Sequence, residues 1–114
     1  MAFYNYNGMG EQYVTFAATD AITVGQVCKI SANDTVDACD DGDRILGIVA
    51  EKRDGTAGVV IGGYVELPYS GTLSGAGFVK LAADGSGGVK AATGGHEYLV
   101  IRVDSAASTV GLFL

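Results

Sequence analysis

The sequence predicts an all-β fold, a small single-domain barrel or sandwich of about eight or nine short strands with little helix. Three observations predict it. Helical periodicity is nearly absent, and no capping pattern opens an apolar stripe. Short apolar runs alternate with period two and are bounded by Gly, Asn, Asp and Ser. The 114 residues hold 18 glycines against one proline in a chain that is 48% hydrophobic, a composition of many tight turns in an ordered domain rather than of a disordered or collagen-like chain.

In chain order, strands are expected near Gln12–Thr19, Gln26–Ser31, Thr35–Ala38, Ile45–Lys52, Gly58–Leu67, Phe78–Ala82, Gly88–Ala92, Glu97–Val103 and Thr109–Leu114. Residues 1–10 hold Phe3, Tyr4 and Tyr6 among Asn and Gly. They read as an arm, either frayed or adhesive to a partner, ahead of a single β-rich domain over 11–114. In the second and third strands, pairing Ile30 with Val36 and Cys28 with Ala38 gives one apolar face, with Ala32-Asn33-Asp34 as a three-residue hairpin loop. That register sets Cys39 on the opposite face from Cys28, so both are expected as reduced thiols, Cys28 buried. Within Gly58–Leu67, Val65 and Leu67 share one face and Tyr64 and Glu66 the other. Within Glu97–Val103, Leu99, Ile101 and Val103 share a face. Gly47, Gly62 and Gly63 fall inside strands and suggest bulges or close backbone approach. A faint repeat also runs through the chain: Val36, Ala38, Leu46, Ile48, Gly58, Val59 and Ile61 match Val89, Ala91, Leu99, Ile101, Gly111, Leu112 and Leu114 at one offset of 53. Such a repeat implies two similar β-units closing one core.

The chemistry the residues permit is narrow. A net charge of −6 and a pI near 4.4 argue against nucleic acid and against an anionic membrane surface as partners, since both need clustered Lys and Arg. The first residues lack a basic start and an apolar stretch, so no signal peptide is expected and the protein is expected to stay soluble in the cytoplasm where it is made. The single histidine, His96, sits in the Gly94-Gly95 turn region with no serine or cysteine elbow to serve. Neither a Gly-x-Ser-x-Gly motif nor a phosphate loop occurs, and Gly85-Ser86-Gly87-Gly88 lies between two short strands, where it reads as a hairpin turn. The acidic run Asp37 to Asp43 fails the calcium-loop spacing, because Cys39 and Ile48 stand where ligands are needed. It reads as a solvated turn. No enzyme activity, cofactor or metal is expected.

The central stretch carries a resemblance. Gly25-Gln26-Val27-Cys28-Lys29-Ile30, Asp34-Thr35-Val36-Asp37-Ala38, Asp43-Arg44-Ile45-Leu46-Gly47-Ile48-Val49-Ala50 and Val59 to Leu67 follow one another in a pattern covering about residues 20–68. It resembles the capsid decoration, or head cement, proteins of tailed bacteriophages, including the lambda-type family. That resemblance implies a β-rich protein, made in the bacterial host cytoplasm, that binds the outside of the expanded head. It also implies a phage major capsid protein as partner and a homotrimer on the shell. The family's long Ala/Pro-rich arm is replaced here by a short aromatic one. Phe3, Tyr4, Tyr6 and Tyr13 are the expected capsid contacts, and Tyr69 and Leu73 are expected at a subunit or capsid contact. Tyr13 reads equally as packing at a strand start, and Leu73 as a loop residue tucked onto the barrel. The alternative function is a carbohydrate- or ligand-binding β-module on a virion or cell surface, for which the absence of Trp is unfavourable.

Overall fold

The structure, a computed structural model, describes residues 10–73 and 75–114. Among these it is all-β, with ten strands: β1 Gln12–Ala18, β2 Val27–Ala32, β3 Thr35–Ala38, β4 Gly47–Arg53, β5 Thr56–Gly62, β6 Tyr64–Pro68, β7 Gly77–Ala83, β8 Val89–Ala91, β9 His96–Asp104 and β10 Thr109–Phe113. The expected strand Gly58–Leu67 is two strands, parted at Gly63. There the backbone turns left-handed (φ +84°), and a Cβ would press into the backbone of Gly10 and Glu11. Only glycine meets both demands.

That break divides the chain into two units of one design. In the first, β1–β3–β2–β4–β5 close into a barrel, with β1 parallel to β3 and antiparallel to β5. In the second, β6–β10–β9–β7–β8 form a sheet, and one parallel bridge, Tyr69 to Val89, brings its ends together. Matching β1 to β6, β2 to β7, and so on to β5 with β10 makes the two strand orders the same. Finer details repeat as well. The β4–β5 ladder is bulged between Val49 and Glu51, and the β9–β10 ladder between Val100 and Arg102. Left-handed residues recur at Asp34 and Gly87 and at Gly55 and Ser108. The amides of Ala18 and Thr19 donate to the carbonyls of Gly55 and Val36, as those of Tyr69 and Ser70 donate to Ser108 and Val89.

The repeat expected at 53 is therefore present as a fold. The offset is 53 for the β3/β8 and β5/β10 strands but 51 for β1/β6 and for the bulged β4/β9, so the structural partner of Leu99 is Ile48 rather than Leu46, and that of Ile101 is Ala50 rather than Ile48. Nor do the units close one core. Cys28, Val36, Val49, Ala57 and Val59 fill the first barrel beneath Ile22. Their equivalents Leu81, Val89, Val100, Val110 and Leu112 fill the second. Strand alternation then joins the two: on β2 and β5 the neighbouring residues Val27 and Val60 face the other way, into the second core, with Cys39 and Ile45 beside them.

Other local expectations divide along the bulges. Ile30 pairs with Val36 and Cys28 with Ala38, as expected. A bulge past Ile30 lets Ala32 pair with Thr35, so the turn is Asn33-Asp34 rather than three residues. Both thiols are free and buried, Cys28 in the first core and Cys39 in the second. On β9 the bulge breaks the period-two face: Tyr98 and Val100 turn inward, Leu99 turns outward, and Val103 returns to the core.

Candidate functional site

Of the expected contact residues, Phe3, Tyr4 and Tyr6 lie outside the described residues. Tyr13, Tyr69 and Leu73 are placed at two separate sites. Tyr13 stands on the outer face of β1, 45% exposed. Its ring covers Gly58 of β5 so closely that a Cβ there would collide with the phenol. The hydroxyl donates to Glu51 Oε2 at 3.0 Å, and Arg53 Nε donates to Glu51 Oε1 at 2.6 Å. The Arg53 guanidinium, aided by the Tyr13 hydroxyl, holds the Glu51 carboxyl below its usual range, while the bond to Glu51 raises the Tyr13 phenol. These side chains line a shallow cavity of about 350 Å³ with Thr15 and Thr56. The second unit repeats the motif: Tyr64 covers Gly111, bonds Glu66 Oε2 at 3.0 Å, and meets the Phe113 ring edge-on at 5.6 Å. A tyrosine laid over a strand glycine supplies the packing that the glycine lacks. Tyr13 therefore has a structural task even though it is half-exposed.

Tyr69 and Leu73 come together at the mouth of the second barrel. With Ser70, Gly71, Val103 and Ser105 they line a cavity of about 490 Å³, and both pack partly against the core. The equivalent of Tyr69 in the first unit is Ala18, and there the mouth is sealed. Ile22 is 2% exposed, and Lys52 Nζ donates to the carbonyls of Asp20 and Ile22, each at 2.9 Å. The residue equivalent to Lys52 is Val103, which lines the open cavity.

The acidic run is held by the protein's own cations. Lys29 Nζ lies 2.8 Å from Asp43 and 3.1 Å from Asp40, and Lys90 pairs with Asp41. These partners, Asp43 first, raise the Lys29 ammonium, and Lys29 lowers the Asp43 carboxyl. Among the described residues no cluster of three or more His, Cys, Asp or Glu could hold a metal. His96 is the first residue of β9 rather than a turn residue. Its ring sits edge-on to Tyr98 at 4.9 Å, and Nε2 lies 3.4 Å from Arg44. The short connection 39–46 is thereby fastened to the second unit, where Ala83 also donates to the Asp43 carbonyl and accepts from the Gly42 amide.

One feature absent from the expected contacts is an exposed apolar pair. Phe78 (72% exposed) on β7 lies directly across from Leu99 (37% exposed) on β9. The signal was in the sequence: Phe78-Val79-Lys80-Leu81 alternates so that Phe78 shares the face of Lys80, a residue that seeks solvent. Compared with family models and with curated proteins, the chain matches none.

Proposed function

We propose that the protein is a non-enzymatic capsid decoration protein that binds the outer surface of an expanded phage head and stabilises the lattice of the major capsid protein, as a trimer on the shell. The observation that carries this reading is the Phe78–Leu99 pair. A large aromatic and a leucine, cross-strand neighbours on an outward face, make an apolar surface suited to a protein contact. The resemblance over residues 20–68 supports the same reading, since it runs from β2 through β6 and so spans both units. A small domain in which 18% of the residues are charged suits repeated weak contacts on a lattice, where avidity multiplies each one.

The test is sedimentation of expanded heads with the protein, followed by imaging. Regular occupancy that drops when Phe78→Ser is introduced, with the far-ultraviolet dichroism unchanged, is the expected result. Heads that stay bare at micromolar protein refute the reading, and binding to a glycan array in their place would favour the sugar-binding alternative.

A further inference from the structure

We propose that the open edge of β1 is a docking site for an extended segment of a partner protein, uncharged along its middle and basic at its ends. On one side β1 is paired with β5, but on the other it meets β3 only through Ala17 and Ala18. The hydrogen bonds show which groups are left over. Ala18 donates its amide to Gly55 on the β5 side, whereas Ala17 and Thr19 donate to Asp34 and Val36 on the β3 side. Neighbouring residues of a strand point their backbone groups to opposite edges, so those of Tyr13 and Thr15 face the edge that β3 leaves bare. Among the described residues nothing pairs with them there. The Tyr13 ring leans the other way, over Gly58, and leaves the edge clear.

A bare edge invites strand addition unless charge, proline, a bulge or shortness guards it. The other open edges among the described residues carry such guards. Past its short ladder with β2, β4 holds Glu51, Lys52 and Arg53. β6, which repeats β1 at an offset of 51, has Glu66 where β1 has Thr15, and Pro68 where β1 has Ala17. β8 is three residues long with Lys90 at its centre, and the free end of β2 is bulged past Ile30. By contrast, Gln12-Tyr13-Val14-Thr15-Phe16 carries no charge and no proline, and Val14 is exposed. Main-chain bonds to Tyr13 and Thr15 supply the affinity of an added strand. Charge then selects the occupant. Glu11 precedes the edge, and Asp34 stands at its far end, where Ala17 bonds its carbonyl. Both are exposed, and among the described residues neither is paired with a cation. An antiparallel second copy with Tyr13 opposite Thr15 would bring its Glu11 opposite Ala17, beside Asp34, setting like charges together. A strand with Lys or Arg at each end meets both carboxylates instead. Nothing in this requires the partner to be a capsid protein.

The test titrates the acetylated, amidated peptide Lys-Thr-Val-Thr-Val-Thr-Lys into the intact protein, followed by amide NMR and hydrogen exchange. In the free protein the amides of Tyr13 and Thr15 are expected to exchange about tenfold or more faster than those of Val14 and Phe16, which face β5. The peptide is expected to shift β1 and to slow exchange at Tyr13 and Thr15, saturating below about 5 mM as a millimolar site does. The same peptide with Glu in place of both Lys should bind about tenfold more weakly or worse. Thr15→Pro removes an amide that faces only the open edge and should abolish the response. Thr15→Lys, which adds the kind of charge that guards β4, should do the same and decides the matter if the proline variant fails to fold. Four results would overturn the proposal: slow exchange at Tyr13 and Thr15 in the free protein, no response to the Lys peptide, equal binding of the Glu peptide, or an unchanged response in the folded variants. Slow exchange that appears only as the protein is concentrated would name a second copy as the occupant instead.

Discussion

Strands β1–β5 and β6–β10 repeat one strand order, the first five as a closed barrel and the second five as a sheet whose ends meet at a single bridge, and the two copies differ in how they are filled and closed. The first is filled by Cys28, Val36, Val49, Ala57 and Val59, the second by the bulkier Leu81, Val89, Val100, Val110 and Leu112. The first closes through Ala17 and Ala18 against Thr35 and Val36, the second through the single bridge Tyr69–Val89. The chain's one proline explains the lighter closure. Pro68 stands where Ala17 stands in the first unit. Ala17 donates its amide to the Asp34 carbonyl at 2.8 Å, and proline has no amide to give. The equivalent carbonyl, on Gly87, accepts from the Val27 amide of the first unit instead, at 3.0 Å. A bond that closes one barrel has become a bond between barrels. The repeat thus leaves the Gly87 carbonyl of the second unit to serve the joint.

The largest expected difference lies in the cores. Leu112→Ala is expected to cost about 2–5 kcal/mol in urea unfolding. Val59→Ala, at the equivalent place, should cost about 1 kcal/mol less because one fewer carbon is removed from a smaller site. A larger loss at Val59 would mean that the first barrel carries the stability.

Closure comes next. Ala17→Pro removes a donor and leaves the Asp34 carbonyl unpaired, for an expected loss of about 1–3 kcal/mol. Pro68→Ala returns an amide whose acceptor is already engaged and should stay within about 0.5 kcal/mol. Equal effects in the two variants would break the comparison.

The thiols probe the two interiors separately. Burial pushes Cys28 up to about 11 and Cys39 up to about 12, from an ordinary value of 9.0. Above pH 9 the unfolded chain has lost these protons while the folded chain keeps them. Stability is therefore unaffected below pH 9 and falls as pH rises toward 11, by about 1.4 kcal/mol per pH unit for each thiol. Cys28→Val should remove one thiol's share of that slope and Cys39→Val the other's, as read by chemical unfolding at pH 8 and pH 10.5. A slope unchanged in both variants would show that neither thiol is sealed in its core.

The smallest difference lies between the two tyrosines over glycine. Tyr64→Phe loses the bond from a buried ring to the exposed Glu66 and should cost about 0.5–1.5 kcal/mol. Tyr13→Phe, half in solvent, should cost less than about 0.5 kcal/mol. Reversal of that order would make Tyr13 the stronger clamp.

Much of this was legible in the residues. Alternation and turn residues located the strands, and the apolar pairing of Ile30 with Val36 set a register that the structure keeps. What stayed hidden depends on contacts far apart in sequence. Gly63 reads as a bulge or a close backbone approach inside one long strand; the close approach is there, against Gly10 and Glu11, but that it ends the strand and parts two units depends on that distant contact. A bulged residue consumes a position without turning the face, so the Leu99-Ile101-Val103 face and the single offset of 53 both failed across β9. The candidate site shows the same limit. Tyr69 and Leu73 were visible as apolar residues in a polar loop, but the difference between a sealed and an open mouth rests on Lys52 and Val103, which only the superimposed repeat brings into correspondence.

The measurement that tests the functional account most directly is an electron-microscopic reconstruction of expanded phage heads incubated with the protein. The account predicts regular added density on the outer shell at repeating lattice positions, each large enough for the two-barrel body, with the Phe78–Leu99 face turned to the capsid. A reconstruction in which the shell remains bare at saturating protein would contradict it.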